Sequence, residues 1–525
     1  MLATLDDLIT QQTLRTPESP ALHIKTTTLS YRELNDAIDK AAAGFIAAGI
    51  KANDRVAIYL PKVLEAVITL FAASRASAVF VPINPLLKPA QVSYILNDCS
   101  VRLLVTSSDR AHLLTDVLST CPNINHIILT DDKSGPNIPA IHFDTWDNLP
   151  NVSDVSFSAR IDSDLAAILY TSGSTGNPKG VVLTHRNMLT GAQSVASYLN
   201  NTASDVLLAV LPLSFDYGLS QLTTAFYVGA SVVLMDYLLP RDVIKAVSRY
   251  SITGLGGVPP LWNQLAQLEW PQDAVESLRY ITNSGGAMPV PTTRLFREKL
   301  PNTDIYLMYG LTEAFRSTYL PPDQVDIRPD SMGKAIPNVE VLVLREDGSE
   351  CDIDEAGELV HRGPLVSAGY WNDPVKTAIR FKPLAIGCRE VPITEMAVWS
   401  GDRVKKDKEG YLYFISRADE MIKTSGYRVS PTEVEEVVYA SGLAKETVAL
   451  GAKHPQLGEA ILLLLVTENE PETSEFMRYF QKNLPAYMHP KHYIFVTELP
   501  RNQNGKIDRK NLADLYGQYF MELES

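Results

Sequence analysis

Short apolar runs alternate with amphipathic segments of helical length from Ser30 to Asn283, and parallel sheets with helices on their faces accommodate that rhythm best. Ser30 and Glu33 form a capping box, after which Leu34, Ile38, Ala41, Ala42 and Phe45 recur at helical spacing until Gly49. Residues 56–60 read as a buried strand, 63–76 as a helix and 79–81 as the next strand. The same alternation predicts strands at 168–170, 206–210, 232–235 and 280–283. From about Glu340 the pattern changes to short strands and turns, which predicts a smaller β-rich lobe. Beyond Arg417 it changes again. Ser430-Pro-Thr-Glu433 is a second capping box with Pro at the first helical position, followed by strand-like 448–450 and 462–466, a helix around 476–480 and a strand near 493–496. The prediction is an α/β protein. Residues 1–417 form a large multi-lobed N-terminal domain with parallel-type sheets and a β-rich lobe at about 335–417, and residues 418–525 form a separate α+β C-terminal domain.

Composition narrows the function. At 525 residues the chain exceeds one ordinary domain of roughly 100–200. Hydrophobic residues at 45% and charged residues at 21% exclude disordered and fibrous classes. A net charge of −14 argues against nucleic acid or an anionic membrane as partner. No apolar run is long enough to span a bilayer, since the greasiest, 461–466, stops at Thr467 and Glu468. The first residues lack a basic head before an apolar run, so no secretory leader is expected. Four scattered cysteines without a CxxC pair speak against a disulfide scaffold or a zinc site. The expectation is a cytoplasmic enzyme.

The chemistry concentrates in Tyr170-Thr-Ser-Gly-Ser-Thr-Gly-Asn-Pro-Lys-Gly180, which follows the apolar run 165–169. Glycines let backbone N–H groups approach a polyphosphate, hydroxyls donate to its oxygens, and Lys179 neutralises charge. The Gly-Lys-Ser/Thr ending of a Walker loop is missing, and no GxGxxG opens a helix here. The plain alternative, a flexible linker, does not suit a loop set between two apolar runs.

These residues resemble the AMP-forming adenylating enzymes, the superfamily of acyl-CoA synthetases, amino-acid adenylation domains and luciferases. The resemblance extends through Tyr309-Gly-Leu-Thr-Glu313, Gly357-Glu-Leu, Gly369-Tyr-Trp, Ser400-Gly-Asp402, Arg417-Ala-Asp-Glu-Met-Ile-Lys-Thr-Ser-Gly-Tyr-Arg428 and Pro500-Arg-Asn-Gln-Asn-Gly-Lys-Ile-Asp-Arg509, in the family's order. It implies an ATP site built from Thr171, Ser172, Gly173, Ser174, Thr175, Gly176, Lys179, the loop Gly285, Gly286 and Ala287, Tyr309, Gly310, Asp402 and Arg417. It implies catalytic roles for Thr312, Glu313 and Lys506, with Glu313 holding Mg²⁺, an ion that binds triphosphate oxygens plus one or two carboxylates. Read alone, Lys506 is a turn lysine and Asp402 a turn aspartate. The resemblance also makes the C-terminal domain mobile, with a hinge at Asp419 and a thiol channel at Lys423 and Gly426 for phosphopantetheine or coenzyme A. His185, just after the loop, reads as structural.

The acid is less legible. Asp216, in Leu211-Pro-Leu-Ser-Phe-Asp-Tyr-Gly-Leu219, stands where amino-acid adenylation domains hold the substrate's ammonium, and a carboxylate in an apolar pocket is costly without a cation. The plain alternative is a cap on the helix starting near Tyr217. The resemblance lines the pocket with Tyr217, Ser220, Gly257, Thr282, Ser284, Met308, Arg316 and Ser317. Two bulky residues there favour a small substrate, with L-proline the best single candidate. The sequence shows no condensation or carrier segment, so the acceptor would be a separate carrier protein serving secondary-metabolite synthesis. The competing resemblance is to exosortase-associated acyl-CoA ligases, with free coenzyme A as acceptor and a non-amino acid as substrate.

Overall fold

The computed structural model describes residues 2–150, 159–171, 178–384, 394–417, 420–424, 427–454, 457–467, 473–484, 486–502 and 505–523. Among these the strands form sheets of seven, fourteen and five strands. In the seven-stranded sheet His142–Thr145, His126–Leu129, Leu103–Thr106, Arg55–Tyr59, Val79–Pro82 and Leu165–Thr171 run parallel, and Lys179–Thr184 closes it antiparallel to Leu165–Thr171. Val79–Pro82 and Leu103–Thr106 are buried at every position, as a parallel sheet covered on both faces requires. The Ser30–Glu33 capping box is present and starts helix Tyr31–Ala47. The neighbouring helix Leu64–Arg75 is buried from Ala66 to Arg75 without a break, so its apolar surface runs all round rather than along a stripe.

The fourteen-stranded sheet has Thr27–Ser30 at one edge, antiparallel to Pro20–Ile24, and Phe381–Pro383 paired to Met396–Lys406; from Pro20–Ile24 it runs parallel through Ser231–Leu234, Val206–Ala209, Gly254–Gly257, Tyr280–Asn283 and Asp304–Tyr309. It then turns antiparallel through Thr318–Leu320, Ser331–Ala335, Leu412–Arg417, Met396–Lys406, Gly357–Arg362 and Glu340–Leu344. The β-rich segment therefore continues the parallel sheet, joined through Ser331–Ala335. That junction requires glycine: Gly333 has φ +83°, and a Cβ there would stand 1.8 Å from the Tyr319 carbonyl oxygen.

The C-terminal sheet holds Tyr427–Val429, Ile422–Thr424, Gly458–Val466, Glu446–His454 and His492–Phe495. It explains the unbroken apolar run 461–466. Ile461, Leu463 and Leu465 pack in one cluster with Phe476 and Phe480, while Leu462 and Leu464 pack on the other face with Leu499 and Leu512. Helix Pro431–Ser441 starts where the second capping box is read, but only half of that box forms. Ser430 Oγ accepts from the Glu433 N–H at 3.4 Å and donates to the Ile415 carbonyl, while Glu433 is exposed. Cys99, Cys121 and Cys351 are free thiols; Cys388 lies outside the described residues. No helix among the described residues is long and apolar enough to cross a membrane.

Candidate active site

The site gathers where strand ends of the fourteen-stranded sheet meet a turn of the C-terminal domain. Lys506 sits in a tight reversal closed by pairing of Arg501 with Ile507, with Gly505 at φ +74° beside it. The turn projects the lysine toward the N-terminal domain. A Cβ on Gly285 would stand 3.3 Å from Lys506 Cε, and Nζ lies 5.8 Å from the centre of the Phe215 ring. Gly285, with φ +82°, thus needs its missing side chain twice over, for conformation and for this approach. Burial, and after it Arg417, lower the Lys506 pKa, while Asp216, Asp402 and Glu313 oppose that shift, so the ammonium has three carboxylates near it, one opening a helix, one within a strand and one in a short turn.

Asp402, on Met396–Lys406, lies in register with Arg417 and pairs with its Nε at 3.4 Å. It also accepts the hydroxyl of Tyr309, whose pKa burial and this carboxylate push well up. Glu313 opens from the short turn Thr312–Ala314, and its Oε1 accepts from the Tyr370 hydroxyl at 2.5 Å. Lys179 Nζ lies 5.4 Å from the Tyr370 ring centre, and burial together with Arg380 lowers its pKa. Thr171 and Lys179 are cross-strand partners, which sets Thr171 beside this lysine. Two lysines, an arginine–aspartate pair, a glycine loop and the Glu313 carboxylate match the donors a magnesium nucleoside triphosphate requires. Asn283 Nδ2 donates to the Gly286 carbonyl at 2.9 Å and shapes the loop toward Ala287.

The residues expected to hold the acid gather near Asp216 and Arg316. Asp216 is the first residue of helix Asp216–Val228, with Phe215 at the cap position and no side-chain cap bond to it. It is 4% exposed, and its Oδ2 lies 3.7 Å from Arg316 Nη1. Burial raises its pKa, with Arg316 and then Lys506 opposing. The carboxylate therefore has cations of this chain beside it, which removes the physical reason for requiring a substrate ammonium. Tyr217, Ser220, Thr282, Met308 and Arg316 line a narrow cavity of about 30 Å³. Gly257 ends strand Gly254–Gly257 and Ser284 follows strand Tyr280–Asn283, with the Ser284 N–H donating to the Gly257 carbonyl. Ser317 does not join the cavity lining; its Oγ is 2.9 Å from His361 Nδ1. Ser172, Gly173, Ser174, Thr175, Gly176, Asp419 and Gly426 lie outside the described residues, and of Lys423 only the backbone, in strand Ile422–Thr424, is described.

Sequence reasoning gave no role to Tyr370, which donates to Glu313, nor to several residues of the cavity wall, among them Gln221 and Thr224. The last two were findable. Positions 217, 220, 221 and 224 follow the spacing of one helix face, and Tyr217 and Ser220 already marked it. His185 is structural: its Nδ1 accepts the Leu5 N–H at 3.1 Å, and burial holds its pKa down at about 4. Away from the cleft, His126, His142 and Asp144 bring three ligand-type atoms within 4.8 Å of one another, but His126 Nε2 and Asp144 Oδ2 already bond at 2.5 Å.

His361 carries a pH prediction. It is fully buried, and burial lowers its pKa to about 3. The unfolded chain takes up that proton near 6.5 and the folded protein does not, so the contribution is whole above 6.5 and declines as pH falls toward 3. From pH 7.5 to 5.5 this histidine should remove about 1.4 kcal/mol of stability. His361→Asn keeps a polar atom near the Nδ1 position and cannot titrate. Urea unfolding should show the variant losing less stability than wild type across that interval, by about that amount; equal losses would exclude the assignment.

The fold and this site define an adenylate-forming ligase: a large domain with a nucleotide-type cleft and a small domain that supplies one lysine to it. The chain belongs to the AMP-binding enzyme family, whose model it matches over residues 9–371, with the AMP-binding enzyme C-terminal domain matching 433–506. A long-chain-fatty-acid–CoA ligase of Salmonella typhimurium is 30% identical over 97% of this chain and 94% of its own. Gramicidin S synthase 2 of Aneurinibacillus migulanus is 28% identical over 97% of this chain, which spans only 11% of that synthase. Among solved structures, the o-succinylbenzoate–CoA synthetase of Bacillus subtilis, in complex with its acyl-adenylate intermediate, superposes with TM-score 0.81 at 26% identity over 96% of this chain and 97% of the other. An anthranilate–CoA ligase bound to anthranoyl-AMP shares the fold, with TM-score 0.87 at 24% identity over 99% and 98%.

Proposed function

We propose that this protein activates a small carboxylic acid with ATP and Mg²⁺ and passes the acyl group to a thiol, in the cytoplasm. A carboxylate oxygen of the acid attacks the α-phosphorus and pyrophosphate leaves; a thiol sulfur then attacks the acyl carbon and AMP leaves. The observation that carries this reading is Lys506, held over the Gly285 loop and facing Asp216, Asp402 and Glu313 from a separate domain. Two anions must meet in the first step, and a fixed cation between them stabilises the charge that develops. Glu313, steadied by Tyr370, is the group to hold the magnesium, and Asp402 with Arg417 the groups to hold the ribose.

Coenzyme A is the acceptor we favour, because the full-length relatives of matching size are named as CoA ligases. The second reading is an amino acid, with L-proline foremost, delivered to the phosphopantetheine of a carrier protein. Its support is the gramicidin synthase match and a buried carboxylate beside Arg316 of the cavity wall; the Arg316 pairing of that carboxylate weighs against it. Pyrophosphate exchange over a panel of acids, followed by thioester assay with coenzyme A, separates the two. Cyclopentanecarboxylate should be activated at least as well as proline, since no substrate ammonium is needed at Asp216. Activation of proline with rejection of its des-amino ring would replace our reading with the amino-acid one.

A further inference from the structure

The acid pocket ends on a guanidinium that the protein itself leaves half unused. Arg316 is 2% exposed, and its backbone follows Phe315, a non-glycine residue at φ +58° whose ring is wedged against Gly191. That unusual turn aims the Arg316 side chain into the cavity, where its Cζ stacks 4.6 Å from the Tyr217 ring centre. Nη1 donates to the Phe315 carbonyl at 3.2 Å and faces Asp216. Nε and Nη2 have no hydrogen-bond partner among the described residues. These two nitrogens form one edge of the fork, with parallel N–H bonds spaced for two oxygens of a single planar group. Leaving such donors buried and unmet is expensive.

Two further polar residues on the cavity wall are likewise unmet, set among Val195, Leu199, Leu207 and Met308. Thr224 Oγ1 and both ends of the Gln221 amide are buried without partners, and all of these residues line the one cavity of about 30 Å³. An ionised carboxylate accepts about four hydrogen bonds. The cavity offers Nε and Nη2 of Arg316, the hydroxyl of Thr224 and, when turned inward, the amide NH₂ of Gln221. At about 30 Å³ the cavity has room for a small group only. Asp216 stands 3.7 Å from Arg316 Nη1 and its charge is also offset by Lys506, so the guanidinium and the lysine share this carboxylate as a common neighbour.

We propose that Arg316 is a specificity residue that binds a second carboxylate at the far end of the acid, making the substrate a short dicarboxylic acid activated at one end only. This rests on the ligase reading and deepens it. The test is pyrophosphate exchange with succinate, glutarate and adipate, each beside its mono-amide and the monoacid of equal chain length. For the best-fitting diacid, kcat/KM should exceed that of both analogues by about a hundredfold or more, because either analogue leaves the fork unmet. Arg316→Lys keeps the charge beside Asp216 but loses the fork. It should erase most of that preference, chiefly through KM, while the stabilisation by ATP stays at its wild-type value even though the melting temperature falls with the lost Tyr217 stacking and Phe315 hydrogen bond. A monoacid or mono-amide that matches its diacid in wild type overturns the Arg316 assignment and leaves the ligase reading in place, as does a variant that loses all acids equally. A wild-type enzyme that exchanges pyrophosphate with no acid in this set or the wider panel overturns both.

Discussion

Lys506→Ala should lower pyrophosphate exchange by roughly 10²–10³, the usual result of removing one preorganised charge from a centre where charge develops. ATP affinity should change far less, since Asp402, Arg417, Lys179 and Glu313 remain. Thioester formation from a supplied acyl-adenylate should be largely spared, because that step no longer brings two anions together. The C-terminal domain should stay folded. Lys506 lies in a turn held by backbone bonds, with the Asn502 N–H on the Lys506 carbonyl at 2.7 Å, and its side chain contributes nothing to either apolar cluster of that domain. Exchange at a near wild-type rate would remove Lys506 from the chemistry.

The largest stability effect should come from Asp6, far from the reacting groups. It precedes helix Asp7–Arg15 in the capping position but makes no cap bond. Its carboxylate instead takes Arg160 Nη1 at 2.7 Å, Arg75 Nε at 3.2 Å and the Ser74 hydroxyl at 2.7 Å, all with little exposure. Burial alone would raise its pKa, yet Arg160, Arg75 and Ser74 together hold it below the ordinary 3.8. The stabilisation is therefore complete above that value and declines only as pH falls below it. Asp6→Ala leaves two guanidiniums buried without their shared partner, which should cost about 3–5 kcal/mol at pH 7. Guanidinium unfolding read by tryptophan fluorescence measures it, and a loss under about 1 kcal/mol would mean that the arginines find other acceptors.

Local order was legible wherever neighbours along the chain decide it. The Ser30–Glu33 box starts its helix, the 3.6-residue spacing through Phe45 faces inward, and strand Tyr280–Asn283 has the limits that its apolar run predicts. The second box formed only half, because Ser430 also reaches Ile415, a contact no local pattern contains. Likewise the β-rich segment reads as a separate lobe in sequence, yet pairs through Ser331–Ala335 into the parallel sheet, since strand partners are chosen across space.

For the site the division falls between which residues and what each one meets. Motif order alone brought forward Lys506, Glu313, Asp402, Arg417 and Arg316, because a chemistry's required groups leave their residue types in place. Charge pairing was invisible. Asp216 looked like a carboxylate in need of a ligand's cation, and its partner proved to be Arg316, one hundred positions away and 3.7 Å distant. Ser317 looked like pocket lining and turned to His361 instead. Residue order alone was enough for the alternating architecture and the ligase family, since these depend on periodicity and on motifs that few folds carry. Only the tertiary structure decided which buried charges neutralise one another and which remain open. The cost of burying a charge is set by the few ångströms around it, and those neighbours arrive from strands and helices remote in the chain.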